Sequence, residues 1–198
     1  MNLILASQSP QRQQLLKQAG YSFEVFPIDF QEPIPNSSDP NDIATYIAFY
    51  KGKEASQILQ KKLSVQELEK SVVLTADTIV YLNGKVYGKP KDEQEAFKML
   101  WELSREPHIV VSGVCVWPLK EKEKGLVAAD TTHIRMQKIS EKEIYEYIAT
   151  GEWIGRAGAF AIQGIADKFV EEVQGNLDNV IGLPMQIVQN LLHKIHYE

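Results

Sequence analysis

Asp77 stands inside Val72-Val73-Leu74-Thr75-Ala76-Asp77-Thr78-Ile79-Val80-Tyr81, a β-branched run of the kind buried on both faces of a sheet. A carboxylate in that setting is costly unless it is paired, hydrogen-bonded or bound to a metal. Two readings stand side by side: a structural Asp satisfied by a lysine or by backbone N–H groups, and an acid with a chemical task. The opening of the chain offers a second place for chemistry. Leu3-Ile4-Leu5-Ala6 runs into Ser7-Gln8-Ser9-Pro10-Gln11-Arg12, where Ser9 is placed to cap a helix and Pro10 takes its first position. The first N–H groups of a helix have no internal partner and lie at the positive end of its dipole, so this turn can take a phosphate. Arg12, one turn in, can add a forked contact. Taken alone, the stretch is better explained by the ordinary use of Ser and Pro at a strand-to-helix junction.

Three further charged residues bear on phosphate chemistry. Lys89 lies between Gly88 and Pro90, where a tight turn can hold a cation rigidly towards a phosphate, or simply expose it. Lys51 belongs to a charged helical stretch, with a solvated helix face as the plain alternative. Glu32, in an acidic loop, can join Asp77 in holding a divalent metal through oxygen ligands, or can simply be solvated. The histidines at 108, 133, 193 and 196 show no ligand spacing, which argues against zinc. Neither a Walker phosphate loop nor a Rossmann glycine fingerprint is present.

The elements that must position these residues follow from periodicity. The first strand and helix end near Gly20, and Tyr21–Phe26 alternates as a second strand. Pro27 to Pro40 is a loop. A helix starts at Asp39-Pro40, carries Ile43, Ile47 and Tyr50 on one face, and ends in the charged stretch through Lys53. A polar helical piece spans Ser64 to Lys70. After the strand of Asp77, Asn83-Gly84 turns a hairpin through Lys85-Val86-Tyr87. A helix from Asp92 to Leu103 faces inward through Ala96, Met99, Leu100 and Leu103. The apolar strand Ile109–Trp117, a hairpin tip at Lys120–Lys124 and an alternating strand Leu126–Met136 follow. Ser140 opens a helix over 141–149, with Glu143 completing a capping box. Gly155, Gly158, Gly164 and Gly175 break up the next segment and bring backbone close to something, as the floor of a pocket would. Met185 to His193 closes the chain as a helix. A single domain over 1–198 is expected, with 72–136 as the alternative separate lobe.

With 198 residues the chain can bury a sizeable core, and its net charge of −5 argues against a general nucleic-acid surface. A small anionic substrate would then need a local basic pocket. The single cysteine, Cys115, excludes an internal disulfide framework, fits a reducing compartment, and reads as a packed strand residue rather than a nucleophile. No signal-peptide pattern or apolar run of membrane-spanning length is present, so a soluble cytoplasmic protein is expected.

Five blocks, taken together, closely resemble the Maf family of nucleoside triphosphate pyrophosphatases: Leu5-Ala6-Ser7-Gln8-Ser9-Pro10-Gln11-Arg12, Ala76-Asp77-Thr78-Ile79-Val80, Gly88-Lys89-Pro90, Ala157 to Gly164, and Val180-Ile181-Gly182-Leu183-Pro184. They fall in the family's order and cover essentially the whole chain. The resemblance implies an α/β enzyme with an elongated mixed sheet, flanking helices and a cleft between two lobes, similar to the inosine triphosphate pyrophosphatase fold, and commonly dimeric. It implies hydrolysis of a nucleoside triphosphate to the monophosphate and pyrophosphate with magnesium or manganese as cofactor. Asp77 matches the proton acceptor, and Ser7, Arg12, Glu32, Lys51 and Lys89 match the polar residues lining the phosphate cleft. Glu32 and Asp77 would hold the metal.

Thr78 and Gln163 look like the subgroup acting on dTTP and UTP, whereas the subgroup acting on 7-methyl-GTP carries Gln and Glu there. Gln11 departs, because the pyrimidine subgroup has Arg at that position. The change keeps hydrogen-bonding capacity and loses a fixed charge, which touches affinity and base choice more than reaction type. Arg156, in place of a common Lys, preserves charge. Ser104-Arg105-Glu106-Pro107-His108 replaces a Ser-Gly-Arg-x-His pattern. The competing readings are a nucleotide-binding regulator of cell division with little activity, and a 7-methyl-GTP pyrophosphatase. Retention of Asp77, Glu32, Lys51 and Lys89 favours the enzyme.

Overall fold

The computed structural model describes residues 1–29, 33, 35–121 and 124–196. Among them a seven-stranded mixed sheet runs in the order β2-β1-β3-β5-β6-β7, with β4 paired to β3. The strands are β1 Asn2–Leu5, β2 Phe23–Val25, β3 Ser71–Leu82, β4 Lys85–Tyr87, β5 His108–Pro118, β6 Leu126–Met136 and β7 Val170–Gln174. The helices are α1 Pro10–Gln18, α2 Pro40–Gln60, α3 Val65–Lys70, α4 Glu93–Leu103, α5 Glu141–Ile148, α6 Leu177–Ile181 and α7 Met185–His196. No helix among the described residues is long and apolar enough to cross a membrane. The expected hairpin tip at Lys120–Lys124 includes Lys122 and Glu123, which lie outside the described residues.

The chain divides into two compact units, Met1–Asp77, Ser112–Asp130 and Gly182–Glu198 forming the first, and Thr78–Val111 with Thr131–Ile181 the second. In the first unit, β1 pairs in parallel with both β2 and β3. Alternation along these strands separates two apolar faces. Leu3, Leu5, Val72, Leu74, Val114 and Val116 pack with Leu16 of α1 and Val188, Leu191 and Leu192 of α7. Ile4, Ala6, Val73, Cys115 and Trp117 pack instead with Ala48, Ala55 and Leu59 of α2.

Helix α2 continues to Gln60, seven residues past the expected end at Lys53. Gly52 and the charges around it look like a helix terminus in sequence. In the structure the glycine sits where a Cβ would press on Cys115 Sγ at 2.8 Å and Thr75 Oγ1 at 3.3 Å, so it lets the helix lie close on the sheet. Ala55, Ser56 and Leu59 beyond it are buried and carry the helix on. Gly113 of β5 repeats the device, because a Cβ there would overlap the backbone of Ala44.

The second unit buries the other end of β3 (Val80, Leu82) with α4 and α5, including Leu100, Leu103, Ile144 and Tyr147. The Asn83-Gly84 hairpin forms as its sequence predicts, with φ of 49° and 82°. Helix α5 carries the expected capping box of Ser140 and Glu143. Two elements were not anticipated. Strand β7 carries Glu171, Glu172 and Gln174 among its exposed residues at the edge of the sheet, so it has no apolar alternation to read. Helix α6 is only five residues long.

Candidate active site

Helix α1 is built as its sequence dictates. Ser9 is the N-cap, its Oγ accepting from the Arg12 N–H at 3.4 Å, and Pro10 opens the helix. Ser9 Oγ donates in turn to Gln11 Oε1 at 3.2 Å. The Arg12 side chain is held at both ends: Nε donates to the Gly182 carbonyl at 2.8 Å, and an Nη donates to Ser7 Oγ at 3.3 Å. Gly182 has φ 118°, a conformation that favours glycine, so its carbonyl is turned to the guanidinium without backbone strain. The turn also receives the Ser9 N–H on Ser7 Oγ. No acidic residue sits in the first turn of α1, which leaves its positive end uncompensated by a carboxylate there.

The strand register brings Asp77 to the same region. Leu5 pairs with Leu74, and the Ala6 N–H donates to the Leu74 carbonyl, so the turn that follows β1 runs level with the approach to Asp77. This is the carboxyl end of the parallel strands β1 and β2, beside the middle of the longer β3, and open α/β sheets place their ligands outside such strand ends. On β3, Thr75 and Asp77 share the face that α2 covers. Thr75 Oγ1 donates to the Ala48 carbonyl at 2.7 Å, and one helical turn later Lys51 Nζ lies 2.5 Å from Asp77 Oδ1. Both side chains are largely buried, at 15% and 12% exposure. The costly carboxylate and the helix lysine, each with a plain explanation of its own, are thus each other's partner.

Of the other expected site residues, Thr78, Lys89 and Gln163 lie in the second unit. Thr78 is half-buried on β3, and Lys89 and Gln163 are exposed. The Gly88 carbonyl accepts from the Gly158 N–H at 3.0 Å, which ties the Gly88-Lys89-Pro90 turn to the 3₁₀ turn Ala157–Ala159. Gly158, with φ 67°, is hemmed in by Val80, Leu103 and Phe160. Gln163 stands in a turn closed by the Gly164 N–H on the Ala161 carbonyl. Glu32 lies outside the described residues. Among those described, no three His, Cys, Asp or Glu come together as a metal site built of protein ligands alone.

Sequence reasoning missed Glu152, whose carboxylate accepts from the Ile165 and Ala166 N–H groups at 2.9 and 3.2 Å. The signal was Gly164, flagged as a point of close approach: a Cβ there would overlap that carboxylate. Other flagged groups are structural. Burial pushes the Cys115 thiol up to about 12, with a weaker opposing effect from Thr75, so it remains a neutral packed side chain. Arg105 folds back onto Trp101, donating to the Trp101 carbonyl at 2.7 Å.

Comparison with known proteins settles the family. The family described as Maf-like protein matches residues 2–195. The chain belongs to the Maf family. Its Maf relatives include a dTTP/UTP pyrophosphatase of Bdellovibrio bacteriovorus, 44% identical over 195 residues and covering 97% of each chain. A dTTP/UTP pyrophosphatase of Ruminiclostridium cellulolyticum is 35% identical over 196 residues, covering 98% of this chain and 96% of that one. In fold, this Maf chain is similar to a HAM1 protein of Coxiella burnetii, with a TM-score of 0.55 at 14% identity and full coverage of both chains. The Ham1 protein of Staphylococcus aureus gives 0.52 at 13% identity, covering 100% and 98%. The expected α/β fold, resembling that of inosine triphosphate pyrophosphatases, is therefore borne out in its mixed sheet and flanking helices.

Proposed function

We propose that this chain is a nucleoside triphosphate pyrophosphatase that hydrolyses dTTP and UTP to the monophosphate and pyrophosphate. The observation that carries the reading is the Lys51–Asp77 pair, level with the turn that follows β1, in a Maf chain 44% identical to a dTTP/UTP pyrophosphatase. Asp77 receives a proton from water, whose oxygen attacks the α-phosphorus. The bond from that phosphorus to the bridging oxygen breaks, and pyrophosphate leaves with the electron pair. Lys51 fixes the Asp77 carboxylate, because a charge-assisted hydrogen bond at this distance restricts its orientation. The α1 N-terminus, Ser7, Arg12 and Lys89 receive phosphate oxygens and offset the charge that builds on them. Gln11, Thr78 and Gln163 face base and sugar.

The donor chemistry fits a divalent cation. Magnesium and manganese take oxygen ligands, and magnesium is commonly held by one or two carboxylates plus substrate phosphates rather than by an all-protein cage. Asp77 and Glu32 would hold it, and when bound it would supply further neutralisation of phosphate charge. The single thiol fits a reducing, cytoplasmic compartment, and the net charge of −5 fits a nucleotide rather than a nucleic-acid partner. No described helix is long and apolar enough to cross a membrane, and the resemblance to the family supports a homodimer. Pyrophosphate release from dTTP and UTP, with magnesium or manganese present, is the experiment that tests the reading.

A further inference from the structure

We propose that Glu152 is the positioning residue that sets base discrimination, by fixing the turn that carries Gln163. The proposal rests on the reading of Gln163 as a base-facing residue. An exposed glutamine can act as donor or acceptor at either end of its amide, so it discriminates between bases only when its backbone is held. The buried side chains of Ile162 and Ala166 lie on either side of it in the chain, and the Glu152 carboxylate binds the backbone just after it. One carboxylate oxygen accepts from the Ile165 N–H at 2.9 Å and the other from the Ala166 N–H at 3.2 Å. These are the first orphan donors of the 3₁₀ segment Ile165–Phe169, so Glu152 caps it from thirteen residues away.

Gly164 shows that the contact is built into the chain. Its φ is −128°, in the extended range that other residues adopt, so its conformation does not call for glycine. The space does, because a Cβ would overlap the Glu152 carboxylate. Glu152 is itself anchored. Gly151, with φ 73°, ends the helical run of α5, and the Glu152 N–H donates to Thr150 Oγ1 at 3.3 Å. Thr150 Oγ1 donates to the Tyr147 carbonyl at 2.6 Å, and the next residue, Trp153, is buried with its indole N–H on the Ile148 carbonyl at 3.1 Å. The end of α5 thereby dictates where the turn holding Gln163 stands.

The test is steady-state kinetics with UTP and CTP, which differ at the pyrimidine edge an amide would read, on the full chain and its Gln163→Ala, Glu152→Ala, Glu152→Gln and Gly164→Ala variants. Melting temperatures of the same samples register whether each is folded. Gln163→Ala is expected to reduce the ratio of UTP to CTP kcat/KM by about tenfold. Glu152→Ala is expected to reduce it by a similar factor, through KM, with kcat kept within about twofold. Glu152→Gln, which keeps one acceptor oxygen, is expected to recover most of the ratio, and Gly164→Ala to reproduce Glu152→Ala while leaving the carboxylate in the chain. Combining Glu152→Ala with Gln163→Ala is expected to add little to the latter alone. A ratio that collapses in Gln163→Ala and is unchanged in both Glu152→Ala and Gly164→Ala overturns the proposal. A ratio unchanged in Gln163→Ala overturns the reading of Gln163 and the proposal with it.

Discussion

Asp77 and Lys51 show how a buried charge explains itself. Taking Lys51 away strips the largely buried Asp77 carboxylate of its lysine, which costs more than the pair contributes to folding. Asp77 was legible in the sequence because a lone acid in a Val/Ile strand is an anomaly on any reading. Lys51 gained its meaning only through α2, whose packing brings together residues 26 apart. Glu152 was visible only indirectly, through Gly164, since nothing in Gly151-Glu152-Trp153 hints at backbone donors thirteen residues on. Gln11 was legible as a departure from the pyrimidine subgroup, and the structure shows its amide oxygen engaged with the Ser9 hydroxyl rather than held out as a charge. Replacing it with Arg adds a cation at the positive end of α1. The Gln11→Arg variant should lower KM for dTTP by roughly fivefold, about 1 kcal/mol, which a KM measured against the parent chain would check.

Helix α2 is the element on which the site's alignment depends. It is held to the sheet by the Thr75 hydroxyl on the Ala48 carbonyl, by Gly52 against Cys115, and by Gly113 of β5 against the Ala44 backbone. At Gly113 an added methyl meets main chain, which cannot swing aside as a side chain would. The Gly113→Ala variant is therefore expected to lose about 1–3 kcal/mol of stability and, because α2 must lift, to lose activity as well. Denaturant unfolding together with a kcat measurement would reveal both effects. Existence and type of the long elements were readable from apolar spacing and caps, as α1, α4 and α5 show. The sequence alone ends helix α2 at Lys53, because a Lys-Gly-Lys-Glu stretch has the composition of a terminus. Close packing, which only the fold supplies, decides otherwise.

Across the whole molecule, the boundaries of the two units were not readable, because three of the four fall inside β3, β5 and β6, where composition does not change, and the fourth follows α6. The core of the second unit holds a titratable group that bears on global stability. His108 is 2% exposed with its ring edge-on to Phe160, and burial lowers its pKa from 6.5 to about 4. The unfolded chain binds a proton there that the folded chain refuses. His108 thus contributes no penalty above pH 6.5, and stability is lost as pH falls from 6.5 towards 4, by roughly 3 kcal/mol in full at 1.36 kcal/mol per unit. Urea unfolding at pH 7 and pH 4.5 should show that loss in the parent chain and a smaller one in His108→Gln; equal slopes in the two would rule the assignment out. The most direct test of the account as a whole is product analysis with dTTP and UTP, in magnesium or manganese, for the parent chain and the Asp77→Asn variant. Pyrophosphate and the monophosphate are expected from the parent chain, and their loss in a variant that keeps its fold. Nucleotide binding by the parent chain without pyrophosphate release, or near-normal turnover in Asp77→Asn, would contradict it.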